Sequence, residues 1–282
     1  MILDRRLNAF RPDLAERGLE GLVEAKHFVD GQPARVIEAV VGLRPVPKDD
    51  CGIDTQLLFG ERVSVLDRKE GWAWVKAELD SYVGYVEERA LGAMGQDATH
   101  LLHAPRSFAY REPDLKRPVA RALSMGSRLV VTGSANTRGT DYLLLDDHTA
   151  VIASHCRPIA DDCTDDHAAV AARLLETPYL WGGRSAFGID CSGLVQMCLM
   201  MRGYKAPRDS DMQANGLGKV IDAGERKRGD LVFWKGHAAI LEDRDTVIHA
   251  NGHTMSVARE SLDDAISRIR PVYGEPTVWR RP

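Results

Sequence analysis

A spacing of 66 residues constrains this chain more than any other feature of its sequence. Gly60-Glu61-Arg62-Val63-Ser64-Val65 returns as Gly126-Ser127-Arg128-Leu129-Val130-Val131. The run Trp72-Ala73-Trp74-Val75 is echoed by Asp141-Tyr142-Leu143-Leu144-Leu145, and Tyr82-Val83-Gly84-Tyr85-Val86 by Thr149-Ala150-Val151-Ile152. Each run is short, rich in β-branched and aromatic residues and closed by a charged turn, as half-buried strands are. Recurrence of the same order at one offset reads as two small β-barrels in tandem, and the alternative is one larger β domain. The expected boundaries are an N-terminal extension over 1–34, a first barrel over 35–97 and a second over 98–160.

From residue 161 the texture changes. Thr164 or Asp165 is placed to cap a helix running from His167 to Leu175, which Pro178 must end. A glycine-rich turn, Trp181-Gly182-Gly183-Arg184, precedes a second apolar helix from Cys191 to Met201, with Gly203 as its stop. Strand patterns follow at 230–234, 237–241 and 246–250. Helices first and strands afterwards make 161–282 an α+β domain.

Charge excludes one class of partner. The net charge is −4. Residues 161–282 hold 16 Lys/Arg against 18 Asp/Glu, so the imbalance is shared evenly and neither half offers a basic surface for nucleic acid or anionic lipid. The opening MILDRRLNAFRPDLAERGLE is too charged for a secretory h-region, and no run approaches the ~20 apolar residues of a membrane span. The expectation is a cytoplasmic protein with no membrane partner. The five cysteines are Cys51, Cys156, Cys163, Cys191 and Cys198. An odd number in a chain this long argues against a disulfide framework. Cys156 and Cys163 lack the paired spacing of a zinc site, so no metal or cofactor is expected.

Of these cysteines, Cys191 carries the chemical signal. Asp190 is a good N-cap and puts Cys191 in the first helical turn, where unpaired N–H groups and the macrodipole favour a thiolate. Glycines at 182, 183 and 188 are expected to leave the approach to sulfur open. Cys198, inside the apolar stretch, reads as core. A nucleophilic cysteine needs a base. His237 opens one strand and His249 lies on the next, so adjacent antiparallel strands can set the imidazoles side by side, His237 toward Cys191 and His249 fixing its orientation. His253 competes with His249 for the third role.

These segments, WGGRSAFGIDCSGLVQ, RGDLVFWKGHAAI and VIHAN, resemble the NlpC-type cysteine peptidases of bacterial cell walls, over about residues 164–280. The resemblance implies a papain-like catalytic domain. Two SH3-like barrels ahead of it resemble the branch that cuts γ-D-glutamyl to diaminopimelate (or lysine) in small murein peptides beginning with a free L-Ala. DTQLLFGE, from Asp54 to Glu61, and PRDSDMQ, from Pro207 to Gln213, resemble that branch too.

Carried over residue by residue, the resemblance makes Cys191 the nucleophile, His237 the base, His249 the orienting group and Tyr179 a hydroxyl donor to the oxyanion. It makes Asp190 a ligand for the substrate ammonium, and Ser192 and Ser210 part of the D-Glu site. Tyr82, with Asp54 as the acidic candidate, would close the amine end from the first barrel, and Tyr85 satisfies the aromatic position that ends SYVGYV. More ordinary readings stand beside these. Asp190 can be a cap, Tyr82 can pack a barrel, Arg208 and Asp209 can pair on the surface, and Trp72 and Trp74 can be core and groove wall. The implied activity is recycling of murein peptides. Its rivals are a wall-binding protein with a dead site and an acyltransferase or thioesterase on the same scaffold.

Overall fold

The structure is a computed structural model that describes residues 3–161 and 165–282. Thr164, one of the two expected helix caps, and Cys163 lie outside the described residues. The chain divides into two compact units, Met1–Ala160 and Asp161–Pro282.

Among the described residues the first unit is all β apart from single 3-10 turns. A parallel pair, β1 (Leu14–Glu16) and β2 (His27–Val29), opens it. The strands β3 (Gln32–Val36), β4 (Val40–Leu43), β5 (Thr55–Leu58), β6 (Arg62–Lys69), β7 (Trp72–Ala77), β8 (Val83–Glu87) and β9 (Leu91–Ala93) follow. They pair in the order β8-β7-β6-β3-β9, beside a β4-β5 hairpin. Their apolar faces enclose a core that includes Val36, Leu43, Leu57, Val63, Val75 and Val86.

The strand order is then repeated by β10 (His100–Leu102), β11 (Arg106–Tyr110), β12 (Val119–Ser124), β13 (Arg128–Leu129), β14 (Val131–Thr137), β15 (Thr140–Leu145), β16 (Ala150–Ile152) and β17 (Cys156–Pro158). The match reaches into irregular detail. A 3-10 turn stands before each last strand, at Glu88–Ala90 and Ala153–His155. The register slips between Val65 and Asp67 against β7, and between Val131 and Gly133 against β15. Both hairpins turn on two residues of positive φ, Glu70-Gly71 and Arg138-Gly139. Such turns suit the right-handed twist of the flanking strands. Gly60 and Gly126 both have positive φ. At Gly60 a Cβ would lie 1.9 Å from the Arg128 carbonyl oxygen, so only glycine lets the repeats join there. Phe59 completes the second core, packing with Leu102, Leu123, Leu129 and Val151.

The second unit is built around one antiparallel sheet. Its elements are α1 (His167–Ala172), β18 (Arg184–Ser185), β19 (Gly188–Ile189), α2 (Cys191–Met200), α3 (Ser210–Gly216), β20 (Lys219–Ile221), β21 (Leu231–Trp234), β22 (His237–Leu241), β23 (Thr246–Asn251), β24 (Ser256–Ser261), α4 (Leu262–Tyr273) and β25 (Val278–Arg281). The sheet order is β20-β25-β21-β22-β23-β24. Helix α1 is shorter than the sequence suggests. Its cap is Asp166, whose carboxylate accepts from the Ala169 N–H, and Glu176 at φ +66° breaks the chain away before Pro178. Helix α2 packs on β22 and β23 and against α1. On the other face Leu262, Ala265 and Ile269 of α4 pack with Ala239, Leu241 and Val247.

Candidate active site

Asp190 starts α2 and accepts from the Gly193 N–H at 2.7 Å. That cap puts Cys191 at the first helical position, 7% exposed. One glycine ahead of it and one after it are closely packed. A Cβ on Gly183 would come within 2.5 Å of the Gly188 carbonyl oxygen, and one on Gly193 within 2.3 Å of the Gly183 carbonyl oxygen. Backbone packs on backbone here, so only glycine fits at 183 and 193, and the start of α2 is held tightly.

Asp190 is also occupied beyond its cap. One carboxylate oxygen accepts from Gly193 N, Arg208 Nη1 (2.9 Å) and Ser192 Oγ (3.3 Å). The other accepts from Gly182 N (2.9 Å) and Arg208 Nη2 (2.7 Å). With five donors on two oxygens, Asp190 is satisfied by the protein itself. It is the helix anchor and the partner of a buried arginine. Arg208 also donates to Ser192 Oγ and to the Gly183 carbonyl. It is 1% exposed, which corrects the reading of Arg208 and Asp209 as a surface pair. Ser210 begins α3 two residues on and is half-buried.

The hairpin from β21 to β22 brings the other half of the site. Trp234 pairs with His237 across the turn Lys235-Gly236, and Gly236 takes φ +79° to close it. Cys191 Sγ lies 3.9 Å from the Gly236 carbonyl oxygen, directly before His237. On β22 and β23 the register Ile240↔Ile248 and Leu241↔Val247 carries His249 alongside His237. His237 Nε2 lies 2.9 Å from His249 Nδ1. His253 is exposed on the following turn, its backbone N–H donating to Asn251 Oδ1, so His249 is the residue that meets His237.

Burial governs the protonation states. It pushes the Cys191 thiol up to about 12, with the Asp190 charge adding to the rise. It lowers His237 to about 3, with His249 and Arg268 opposing the imidazolium further. The thiolate expected at a helix start is therefore outweighed by desolvation, and the pair rests as neutral thiol and neutral imidazole. Tyr179 is placed by its backbone N–H on the Met255 carbonyl (2.8 Å) and by a bridge to Ile189. Its phenol is raised by burial and then by the neighbouring Cys191 and Asp190, so it stays a protonated donor.

The remaining candidates sit elsewhere. Tyr82 is 3% exposed and packs in the core of the first barrel, in line with the packing reading. Asp54 precedes β5 and is half-buried. Tyr85 stacks on Trp74 and accepts from Arg11 Nη1 at 3.1 Å, while Arg11 lies over the Trp74 ring. Trp74 is core and Trp72 is half-buried at the hairpin end. Cys198 is fully buried. Among the described residues no group of three His, Cys, Asp or Glu side chains is arranged to hold a metal.

Two further residues join the site without any local motif. Glu260 on β24 accepts from His249 Nε2 at 3.0 Å, and Arg268 on α4 grips Glu260 with Nε and Nη2 at 2.9 and 2.5 Å. A stripe was legible at Leu262, Ala265 and Ile269, spaced i, i+3, i+7. It announces α4 but not what Arg268 reaches.

Comparison with known proteins fits this geometry. Residues 43–91 match the bacterial dipeptidyl-peptidase Sh3 domain, and residues 176–272 match the NlpC/P60 family. The chain is 27% identical over 250 residues to dipeptidyl-peptidase 6 of Lysinibacillus sphaericus, covering 82% of this chain and 92% of that one. It is 29% identical over 205 residues to a gamma-D-glutamyl-L-lysine dipeptidyl-peptidase of Bacillus subtilis, 66% of this chain and 65% of that one. The probable endopeptidase NlpC of Escherichia coli is 35% identical over 112 residues, 37% of this chain and 67% of that one. An NlpC/P60 family protein from Bacillus cereus superposes with a TM-score of 0.74 at 22% identity, covering 89% of this chain and 99% of that one, a likeness of fold. A buried cysteine capped at a helix start and two imidazoles joined across neighbouring strands thus stand inside the matched segment, and the chain belongs to the NlpC/P60 family of cysteine peptidases.

Proposed function

We propose that this peptidase cuts the bond between γ-D-glutamate and diaminopimelate or lysine in small murein peptides that begin with a free L-Ala, and that it serves peptide recycling. The observation that carries the reading is similarity to a dipeptidyl-peptidase across both units, 82% of the chain, rather than over the catalytic unit alone.

The chemistry follows from the neutral resting pair. His237 Nε2 is engaged with His249, which leaves Nδ1 as the base nitrogen. It removes the Cys191 proton as sulfur attacks the γ-carbonyl carbon, because neither group is charged beforehand. The oxyanion is met by the Cys191 N–H, which has no intrahelical acceptor, and by the Tyr179 hydroxyl. Collapse breaks the C–N bond, and the imidazolium returns its proton to the departing amine of the diamino acid. Water, deprotonated by His237, then hydrolyses the thioester and frees L-Ala-γ-D-Glu and the thiol. Ser192 and Ser210 line the D-Glu side in this reading.

The test is substrate choice. L-Ala-γ-D-Glu-diaminopimelate should be cleaved, and N-acetylation of its Ala should lower kcat/KM at least about a hundredfold, or about 2.7 kcal/mol. Equal rates on free and acetylated peptides, or release of stem peptides from intact sacculi, would overturn the recycling assignment.

A further inference from the structure

We infer that Glu260 and Arg268 are positioning residues which, through His249, hold His237 in the one tautomer that can act as a base toward Cys191. The inference rests on the proposed roles of Cys191, His237 and His249.

The argument is a count of protons along a chain of contacts. Arg268 cannot lose its proton and donates twice to Glu260. Under that grip and the hydrogen bond from His249, the Glu260 carboxyl lies at about 2, so it is an acceptor only. His249 Nε2 must therefore carry a hydrogen to fill its 3.0 Å contact with Glu260. In neutral His249 the lone pair is then on Nδ1. The 2.9 Å contact from His237 Nε2 to that lone pair needs a hydrogen on His237 Nε2. What remains on His237 is an unprotonated Nδ1. Were Glu260 a donor, every proton in the chain would move one place and His237 Nδ1 would be blocked.

The fold supports each contact. Val247 pairs with Glu260 and His249 with Ala258, so His249 and Glu260 are diagonal neighbours on one face of the β23–β24 ladder. Helix α4 covers that face and supplies Arg268. The charged and titratable groups facing His249 are His237 from β22, Glu260 from β24 and Arg268 from α4.

The test is made on the full chain. Nitrogen-15 NMR of histidine-labelled protein should show, for both His237 and His249, a protonated Nε2 and a bare Nδ1. Glu260→Ala should lose that pattern and lower the rate of Cys191 alkylation by iodoacetamide, read by peptide mass, at least about tenfold. On L-Ala-γ-D-Glu-diaminopimelate it should lower kcat with KM little changed. Glu260→Gln, whose amide oxygen still accepts from His249, should recover several-fold over Glu260→Ala. Arg268→Gln, which loosens the grip on Glu260, should lower kcat with KM little changed, and by less than Glu260→Ala does. Arg259→Ala, which removes the ion pair from the neighbouring residue of β24 to Glu242 beyond β22, should behave as wild type.

A protonated Nδ1 on either ring in the wild type would overturn the inference. So would full alkylation and kcat in Glu260→Ala, or Glu260→Gln no better than Glu260→Ala. If Cys191→Ala is itself active, the catalytic reading fails first; if Cys191→Ala is dead and Glu260→Ala is unimpaired, only this inference fails.

Discussion

Both terminal nitrogens of Arg208 rest on the carboxylate of Asp190, at 2.9 and 2.7 Å, in the interior of the catalytic unit. The pair fixes the residue that caps α2, and so fixes where Cys191 stands. Removing one member leaves the other charge buried alone, which costs about 3–5 kcal/mol. Arg208→Ala should therefore lower the thermal midpoint by many degrees. Asp190→Asn, which keeps a side-chain oxygen for the Gly193 N–H, still orphans Arg208 and should also destabilise. Unfolding curves check both, and wild-type stability in Arg208→Ala would show that the pair is not what anchors the helix.

Tyr179 is a donor that burial keeps protonated. Tyr179→Phe removes one of two proposed oxyanion donors, and such losses run to about a hundredfold or more in kcat. We expect that loss with little change in KM. A rise in KM at constant kcat would instead make Tyr179 a binding residue.

His249 acts only through His237. His249→Ala should lower kcat by a large factor, yet by less than His237→Ala. The double variant should be scarcely worse than His237→Ala alone, because members of a triad act as a unit. Additive losses would mean that the two imidazoles work independently, against their 2.9 Å contact. A damaging His253→Ala with a silent His249→Ala would say the same.

The protonation states set how stability depends on pH. His237 is lowered in the fold to about 3 from an ordinary 6.5, so between these values the unfolded chain binds the extra proton. Stability is full above about 6.5 and falls as pH drops toward 3. Glu260, lowered to about 2 from 4.5, adds a loss that begins below 4.5. His237→Phe should flatten the upper part of this dependence in denaturant titrations at a series of pH values. An unchanged slope between pH 6.5 and 4.5 would contradict the buried neutral imidazole.

Legibility in the sequence followed locality. The tandem repeat could be read because its signals are near neighbours: alternating strands, glycines where φ is positive, and turns two residues long. Cys191, His237 and His249 could be read for the same reason, each standing at the start or middle of a strongly patterned element. Arg208 could not, because adjacency to Asp209 suggests a surface pair, while its partner Asp190 lies 18 residues back. Glu260 and Arg268 were hidden similarly, since only the packing of α4 on β24 brings them together. For the thiol, a helix start is visible in sequence, whereas the burial that raises Cys191 is not.

The central claim is that Cys191 attacks the γ-carbonyl of the peptide. Wild type and Cys191→Ala are incubated with L-Ala-γ-D-Glu-diaminopimelate, and the products are weighed by mass spectrometry. The account predicts L-Ala-γ-D-Glu and free diaminopimelate from the wild type, and a rate at least about a thousandfold lower from a folded Cys191→Ala protein. Turnover by Cys191→Ala near the wild-type rate would contradict it.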